Sequence, residues 1–437
     1  MKEHQFARYD KYKATEIQWL ENIPIHWKFD RIKNLTTTQS GTTPPSGVSE
    51  YYDNGLHYWV RTTDLNNNRL SKSEYKITNI AIERFGLKFI AANSVLLAMY
   101  GGMGTIGKNS ILEEPVTINQ SVCAIYPNNK RFYSTYLWYY IQYFRPTWEI
   151  FANSARKDPN INQEAIKRLW ITLPPMEEQK AIADYLDDKI AQIDRKIELL
   201  EQKAERYAAL KQSLINETVK RGLDKSSPTR DSGIEWVGII PAHWEIKRVY
   251  DIAVQQKMKN VGLKEKNLLS LSYGKLKRKD IETSLGLLPE SFETYQIVNK
   301  GNIILRLTDL QNDWTSLRVG LARERGIITS AYLCLRFSKQ INPVFAYYVL
   351  HTYDLQKVFY WLGSGLRSVM KFEDIKVLPF ILPPIEEQNA IADHLETKTV
   401  HIEKIMETIH LKIEKLKELR KTLINEVVTG KIKVYQG

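Results

Sequence analysis

The sequence predicts an α+β chain built as an internal repeat. Two globular heads of mixed helix and strand are joined by two long helices packed antiparallel as a coiled coil, with pseudo-two-fold symmetry. Three observations predict this. LPPMEEQKAIADYLDDKIAQID, from Leu173, recurs as LPPIEEQNAIADHLETKTVHIE from Leu382. EIQWLENIPIHWKFDRI (16–32) recurs as IEWVGIIPAHWEIKRV (234–249). Both LPP segments open long stretches whose apolar residues keep a heptad spacing.

The longer repeat runs without gaps from Leu173–Val219 onto Leu382–Val428, an offset of 209, and closes on LINE in both copies. The shorter repeat places Trp19, Pro24, His26, Trp27 and Arg31 opposite Trp236, Pro241, His243, Trp244 and Arg248, an offset of 217. The frame is therefore kept while the length between its parts varies. Four segments follow: a first head over 1–172 with its lead-in at 14–36, a central helix over 173–222, a second head over 223–381 with its lead-in at 231–253, and a C-terminal helix and tail over 382–437.

Within the heads, HYWVRTTDL, SVLLAMYGG, QSVCAIYP, NIILRLTDL and AYLCLRF read as strands. YSTYLWYYIQYF and NPVFAYYVLHTYDLQKVF read as helices. Pro174–Pro175 suits a helix start and no helix interior, and Glu177 and Glu178 put negative charge at the positive end of the dipole. Neither Gly nor Pro follows until past Val219, so about 43 helical residues would span on the order of 65 Å. The seam is Leu186, Ile190, Ile193, Ile197, Leu200, Ala204 and Tyr207 in the first helix. In the second it is Leu395, Thr399, Ile402, Met406, Ile409, Ile413 and Leu416. Two such seams in one chain bury each other most simply. Chain order then makes the helices antiparallel.

At 437 residues and 43% hydrophobic, the chain supports two or three packed domains. It holds no membrane-length apolar run, and MKEHQFARYDKYK has no signal-peptide character. Cys123 and Cys334, in similar apolar contexts one per half, read as buried strand residues of a reduced, cytoplasmic protein. A net charge of +12 favours a polyanionic partner.

Catalytic signals fail on inspection. MYGGMGTIGKNS fits G-x-G-x-x-G at Gly102, Gly104 and Gly107, but Asn109 stands where a Walker motif needs Ser or Thr, and strand-like residues follow instead of a helix. A glycine turn between strands is expected, with Lys108 close enough to touch a phosphate. No HExxH occurs, two cysteines build no common zinc site, and His26 and His243 are expected to pack beside their tryptophans. No catalytic residue and no metal site is expected. The candidates for DNA contact are Arg61, Lys108, Arg156 and Lys157 in the first head. In the second they are Lys275, Lys277, Arg278, Arg306, Arg318, Arg323, Arg367 and Lys371. Lys would neutralise phosphates and Arg would read base edges.

The paired WxxxIPxHW lead-ins, the paired PPxEEQxAIAxxL helix starts and the LINE closures resemble the specificity subunit of type I restriction–modification systems. SGTTPPS…YYDNGLHYWVRTTDL, GTIGK and RGIITSAY are similar to stretches of that family's target recognition domains. The resemblance implies that each head reads part of a bipartite site in double-stranded DNA and that the helices set the spacer. It also implies docking of two methyltransferase subunits and two restriction subunits. S-adenosylmethionine, ATP and Mg would then sit on those partners, leaving this chain without cofactor or activity of its own. Two other readings stay open: a specificity subunit of another multisubunit methyltransferase or nuclease without the motor, and a nucleotide-binding enzyme using the loop at 102–108.

Overall fold

The computed structural model describes residues 7–101, 104–153, 160–279, 291–308, 310, 317–362 and 370–435. The chain divides into two compact units, Met1–Glu201 with Leu411–Gly437, and Gln202–His410. The divisions fall inside the long helices, Met176–Arg221 and Ile385–Val428, so each unit contains parts of both.

In the first unit the lead-in forms a hairpin, Tyr12–Ile17 against Leu20–Pro24. Lys28–Arg31 then pairs antiparallel with Trp170–Leu173, the strand that feeds the first long helix. Between these lies a five-stranded sheet in the order Thr38–Ser40, Val122–Ile125, Val95–Ala98, Asn109–Leu112, Asn68–Leu70. Only the last pairing is parallel. The four residues of Val95–Ala98 and of Val122–Ile125 are all buried, because both faces of the sheet are covered. One face packs on the helix Ser134–Asn153 through Val95, Leu97, Ile111, Cys123, Tyr136 and Tyr140. The other packs on Val60, Val116 and Ile118 through Leu96, Ala98 and Ala124.

The second unit repeats the frame. Glu245–Arg248 pairs antiparallel with Pro379–Leu382, and its sheet runs Ala253–Gln255, Leu333–Phe337, Ile303–Leu305, Val319–Leu321. Its helix Pro343–Leu355 starts from Asn342, whose side chain accepts from Val344 and Phe345, with Pro343 at the first helical position. The two cysteines occupy the same strand of the two sheets. Both are free and buried, and burial pushes each thiol up to about 12.

Both helices form where the sequence places them. Leu186, Ile190, Ile193 and Ile413 are buried in the first unit, and Ala204, Leu395, Thr399, Ile402 and Ile409 in the second. Ile197, Leu200, Tyr207, Met406 and Leu416 are half-buried. Asp194 pairs with Arg420 at 3.3 Å in the first unit, and Lys211 with Glu403 at 2.5 Å in the second. The two pairs are 17 residues apart on each helix and in opposite order, as antiparallel packing requires. The last turns do more than the heptad pattern predicts. Leu423, Ile424, Val427 and Val428 complete the core of the first unit, while Ile215 and Val219 complete that of the second. Each head is thus closed by the end of the helix that starts in the other half of the sequence. No helix is long and apolar enough to cross a membrane among the described residues.

Candidate nucleic-acid interface

The repeated motifs hold each head to its helix. Glu178 is 1% exposed. Tyr9 Oη donates to its Oε1 at 2.5 Å, and His26 Nε2 lies 2.9 Å from its Oε2. Burial, then the Glu178 contact, pushes the Tyr9 hydroxyl far up, so it remains a donor. Gln179 accepts from the backbone N–H of Tyr133 at 2.8 Å and donates to Pro174 O at 2.9 Å. In the second unit Gln388 accepts from Asn342 N at 2.9 Å and donates to Pro383 O at 2.9 Å. Glu387 meets His243 at 2.6 Å and accepts from Trp244 Nε1 at 3.0 Å. The glutamates therefore bind the lead-in, and the glutamines bind the start of the head helix. Both histidines are exposed, 46% and 43%, and each meets the glutamate of its own helix start. Among the described residues no group of three or more His, Cys, Asp or Glu could hold a metal ion.

The glycine motif is a turn between Val95–Ala98 and Asn109–Leu112, with Gly101, Gly104 and Gly107 at positive φ. The chain returns directly into a strand, so the glycines do not open a helix whose N-terminus could receive a nucleotide phosphate. Gly102 lies outside the described residues. Lys108 reaches Asn66 Oδ1 at 3.4 Å on the exposed side. The structure also leaves Tyr100 exposed at the mouth of this turn.

The predicted basic residues fall into distinct classes. Arg156, Lys157 and Arg367 lie outside the described residues. Arg318 is a correction: it is 0% exposed. Its guanidinium donates to Arg306 O, Thr308 O and Tyr360 Oη at 3.1, 2.7 and 2.8 Å, which removes it from any DNA surface. The Arg61 guanidinium lies over the Tyr75 ring, 3.3 Å from its centroid. Lys275 pairs with Glu403 at 2.6 Å, Arg323 with Glu396 at 2.6 Å, and Arg278 with Glu324 through Nε at 2.8 Å. These three are exposed, and exposed pairs are weak enough for a phosphate to compete with the carboxylate. Arg306 is half-buried, whereas Lys277 and Lys371 are exposed.

Sequence reasoning missed one prominent group. Lys275–Arg278 pairs with Leu269–Ser272 in a hairpin whose turn residues, Tyr273 and Gly274, both have positive φ. Tyr273 is 84% exposed, directly beside the lysines of KLKRKD. An X-Gly pair between two strand patterns was the available signal. An aromatic held out beside cations suits stacking and phosphate contact together.

Residues 24–206 match the family described as the type I restriction modification DNA specificity domain. The putative type I restriction enzyme MjaX specificity subunit of Methanocaldococcus jannaschii is 24% identical, over 98% of each chain. A chain solved in work on complex assembly and conformational transition of the type I R-M system superposes with a TM-score of 0.71 at 13% identity. That match covers 93% of this chain and 98% of that one. The HsdS subunit from Thermoanaerobacter tengcongensis gives 0.51 at 14%, over 94% and 98%.

Proposed function

We propose that this chain, which belongs to the family of type I restriction–modification DNA specificity subunits, reads a bipartite target in double-stranded DNA. Each head reads one part, and the paired helices fix the unspecified spacer between them. Methyltransferase and restriction subunits docked on the chain bring S-adenosylmethionine, ATP and Mg, and perform the chemistry. The chain's own task is recognition and geometry.

One observation carries the reading. The two heads share a frame down to the Gln179 and Gln388 contacts, yet they differ in the residues that the frame leaves outside. A duplicated scaffold with unlike surfaces fits two unlike half-sites. The helices run unbroken over Met176–Arg221 and Ile385–Val428, which suits a spacer of set length.

The test has two stages. Mapping methylated adenines in the host genome should return two short specified parts around a spacer of constant length. Matching four-residue insertions near Lys203 and Leu411, where the units divide, add about 6 Å of helix, close to two base-pair rises. The accepted spacer should lengthen or binding should be lost, with both specified parts unchanged. A continuous methylated motif, or a change in the identity of either part, would overturn the proposal.

A further inference from the structure

The two heads hold the connector between the same two strands of their sheets by an arginine, but they draw that arginine from different places. The head helices share one frame, because the Tyr133–Gln179 and Asn342–Gln388 contacts are both displaced by 209 residues. Arg145 and Asp354 therefore occupy equivalent positions. The sheets are equally comparable. Ala98 N donates to Lys108 O at 2.8 Å, and Arg306 N donates to Arg318 O at 2.9 Å, closing the same hairpin. Met99 O and Leu307 O, one residue further on, accept from Ile161 N and Met370 N at 3.0 and 2.9 Å. Those donors follow the stretches that carry Arg156 with Lys157, and Arg367.

In the first head Arg145 extends from the helix. It donates to Gly104 O at 2.7 Å and Ile106 O at 3.3 Å. Its Cγ comes so close to Gly107 that an added Cβ would lie 2.7 Å away, and Glu149 holds its outer side at 3.1 Å. In the second head a guanidinium again takes two connector carbonyls, Arg306 O and Thr308 O. This one belongs to Arg318, in the connector itself. Here the helix supplies a carboxylate, and Asp354 Oδ2 accepts from the backbone N–H of Arg318 at 2.6 Å. Burial raises the Asp354 carboxyl to about 6, against the opposing pull of the Arg318 N–H and nearby cations. A hairpin needs only two to five residues to turn. Connectors longer than that, anchored by a charged side chain, are built for what they present.

We infer that Arg145 in the first head, and the Arg318–Asp354 pair in the second, are positioning residues for sequence reading. Each fixes the β-connector of its head and thereby sets which bases that head accepts. The inference rests on the bipartite reading proposed above. Base readout demands donors and acceptors held within about 0.5 Å. These anchors hold the backbone at Gly104 and Ile106 in one head and at Arg306 and Thr308 in the other, beside the exposed Tyr100 and the half-buried Lys108 in the first.

The test selects duplexes from a library randomised over the target, using the full chain carrying Arg145→Lys, Arg145→Ala, Asp354→Asn or Tyr360→Phe. Tyr360→Phe removes the Arg318 Nε acceptor without touching buried charge, so it serves if Asp354→Asn fails to fold. The Arg145 variants should relax base preference in one part by about tenfold, with Lys milder than Ala, while the other part keeps wild-type preference. Asp354→Asn and Tyr360→Phe should do the converse. The retained part shows that the variant is folded. Unchanged preference in both parts, with only affinity or Tm reduced, would make the anchors merely structural and overturn the inference. A wild-type chain selecting no bipartite target would overturn the underlying reading, and is seen before any variant is compared.

Discussion

Two buried groups on one helix pull the stability of the second unit in opposite directions with pH. His351 stacks on Tyr347, with ring centroids 5.5 Å apart. Burial, then the charge of Lys211, lowers it from 6.5 to about 4. Between those values the unfolded chain holds the extra proton, so His351 makes stability rise with pH over that window. Asp354, three residues on, is raised by burial from 3.8 to about 6. There the folded chain holds the extra proton, and stability falls as pH rises from about 4 to 6. At about 1.4 kcal/mol per pH unit, each contribution is on the order of 3 kcal/mol. The charges around them stay fixed over most of this range: Arg318 and Lys357 beside Asp354, and Lys211 beside His351. Burial disfavours charge on Glu403, yet Lys211 and Lys275 hold it below the usual carboxylate range.

In the wild-type unit these two contributions should largely offset each other, and single substitutions should expose the hidden slopes. His351→Phe keeps the stacked ring and removes the rising contribution, so the unit should lose about 3 kcal/mol between pH 4 and 6. Asp354→Asn should gain about as much over the same range. Urea titrations at several pH values measure the slopes. Hydrogen exchange of the amides in Pro343–Leu355 assigns them to this helix, because a chain of two compact units need not unfold in one step. Two variants with the same slope as wild type would refute the reasoning.

Two further outcomes follow from the repeated frame. Gly430→Ala places a methyl group against Pro24 and 3.1 Å from Trp27, at a φ of +76°. It should destabilise the first unit by about 2 kcal/mol or more, read as an early urea transition, whereas Gly233→Ala, with φ +69° and open space around its Cβ, should cost about 1 kcal/mol. Glu178→Ala strips a buried acceptor from Tyr9 and His26 and should cost about 2–3 kcal/mol. Glu387→Ala removes an acceptor from Trp244 Nε1 and from His243, but at a pair about 40% exposed on each side, where water can take the carboxylate's place, it should cost only about 1 kcal/mol. Equal losses in the two units would contradict that distinction.

The frame was legible because it is written twice and because its physics is local. Prolines, the acidic first turn and a heptad spacing place both helices within a few residues of Met176–Arg221 and Ile385–Val428. What the motif's middle letters do was not legible. The carboxylate of Glu178 reads as dipole compensation until Tyr9, more than 160 residues away, is brought onto it. The seam also told only half of the helix story. Leu423, Ile424 and Val428 look like the fading end of a coiled coil, but they are core residues of a head, and nothing in their spacing says which partner buries them.

The basic residues show the deeper limit. Composition treats an arginine as surface charge, and for Arg278 and Arg323 that holds. Arg318 sits in SLRVGL, an apolar strand context, and there the cost of burial is met by three oxygen acceptors and one carboxylate nearby. Its counterpart by function is not the residue opposite it, Lys108, but Arg145 on the helix. The heads have kept a guanidinium on two connector carbonyls while changing the element that supplies it. Aligning the halves residue by residue sets Arg145 against Asp354 and finds opposite charges. Only the folded chain reveals one job done from two sides, and it does so at the connectors where the two heads have most reason to differ.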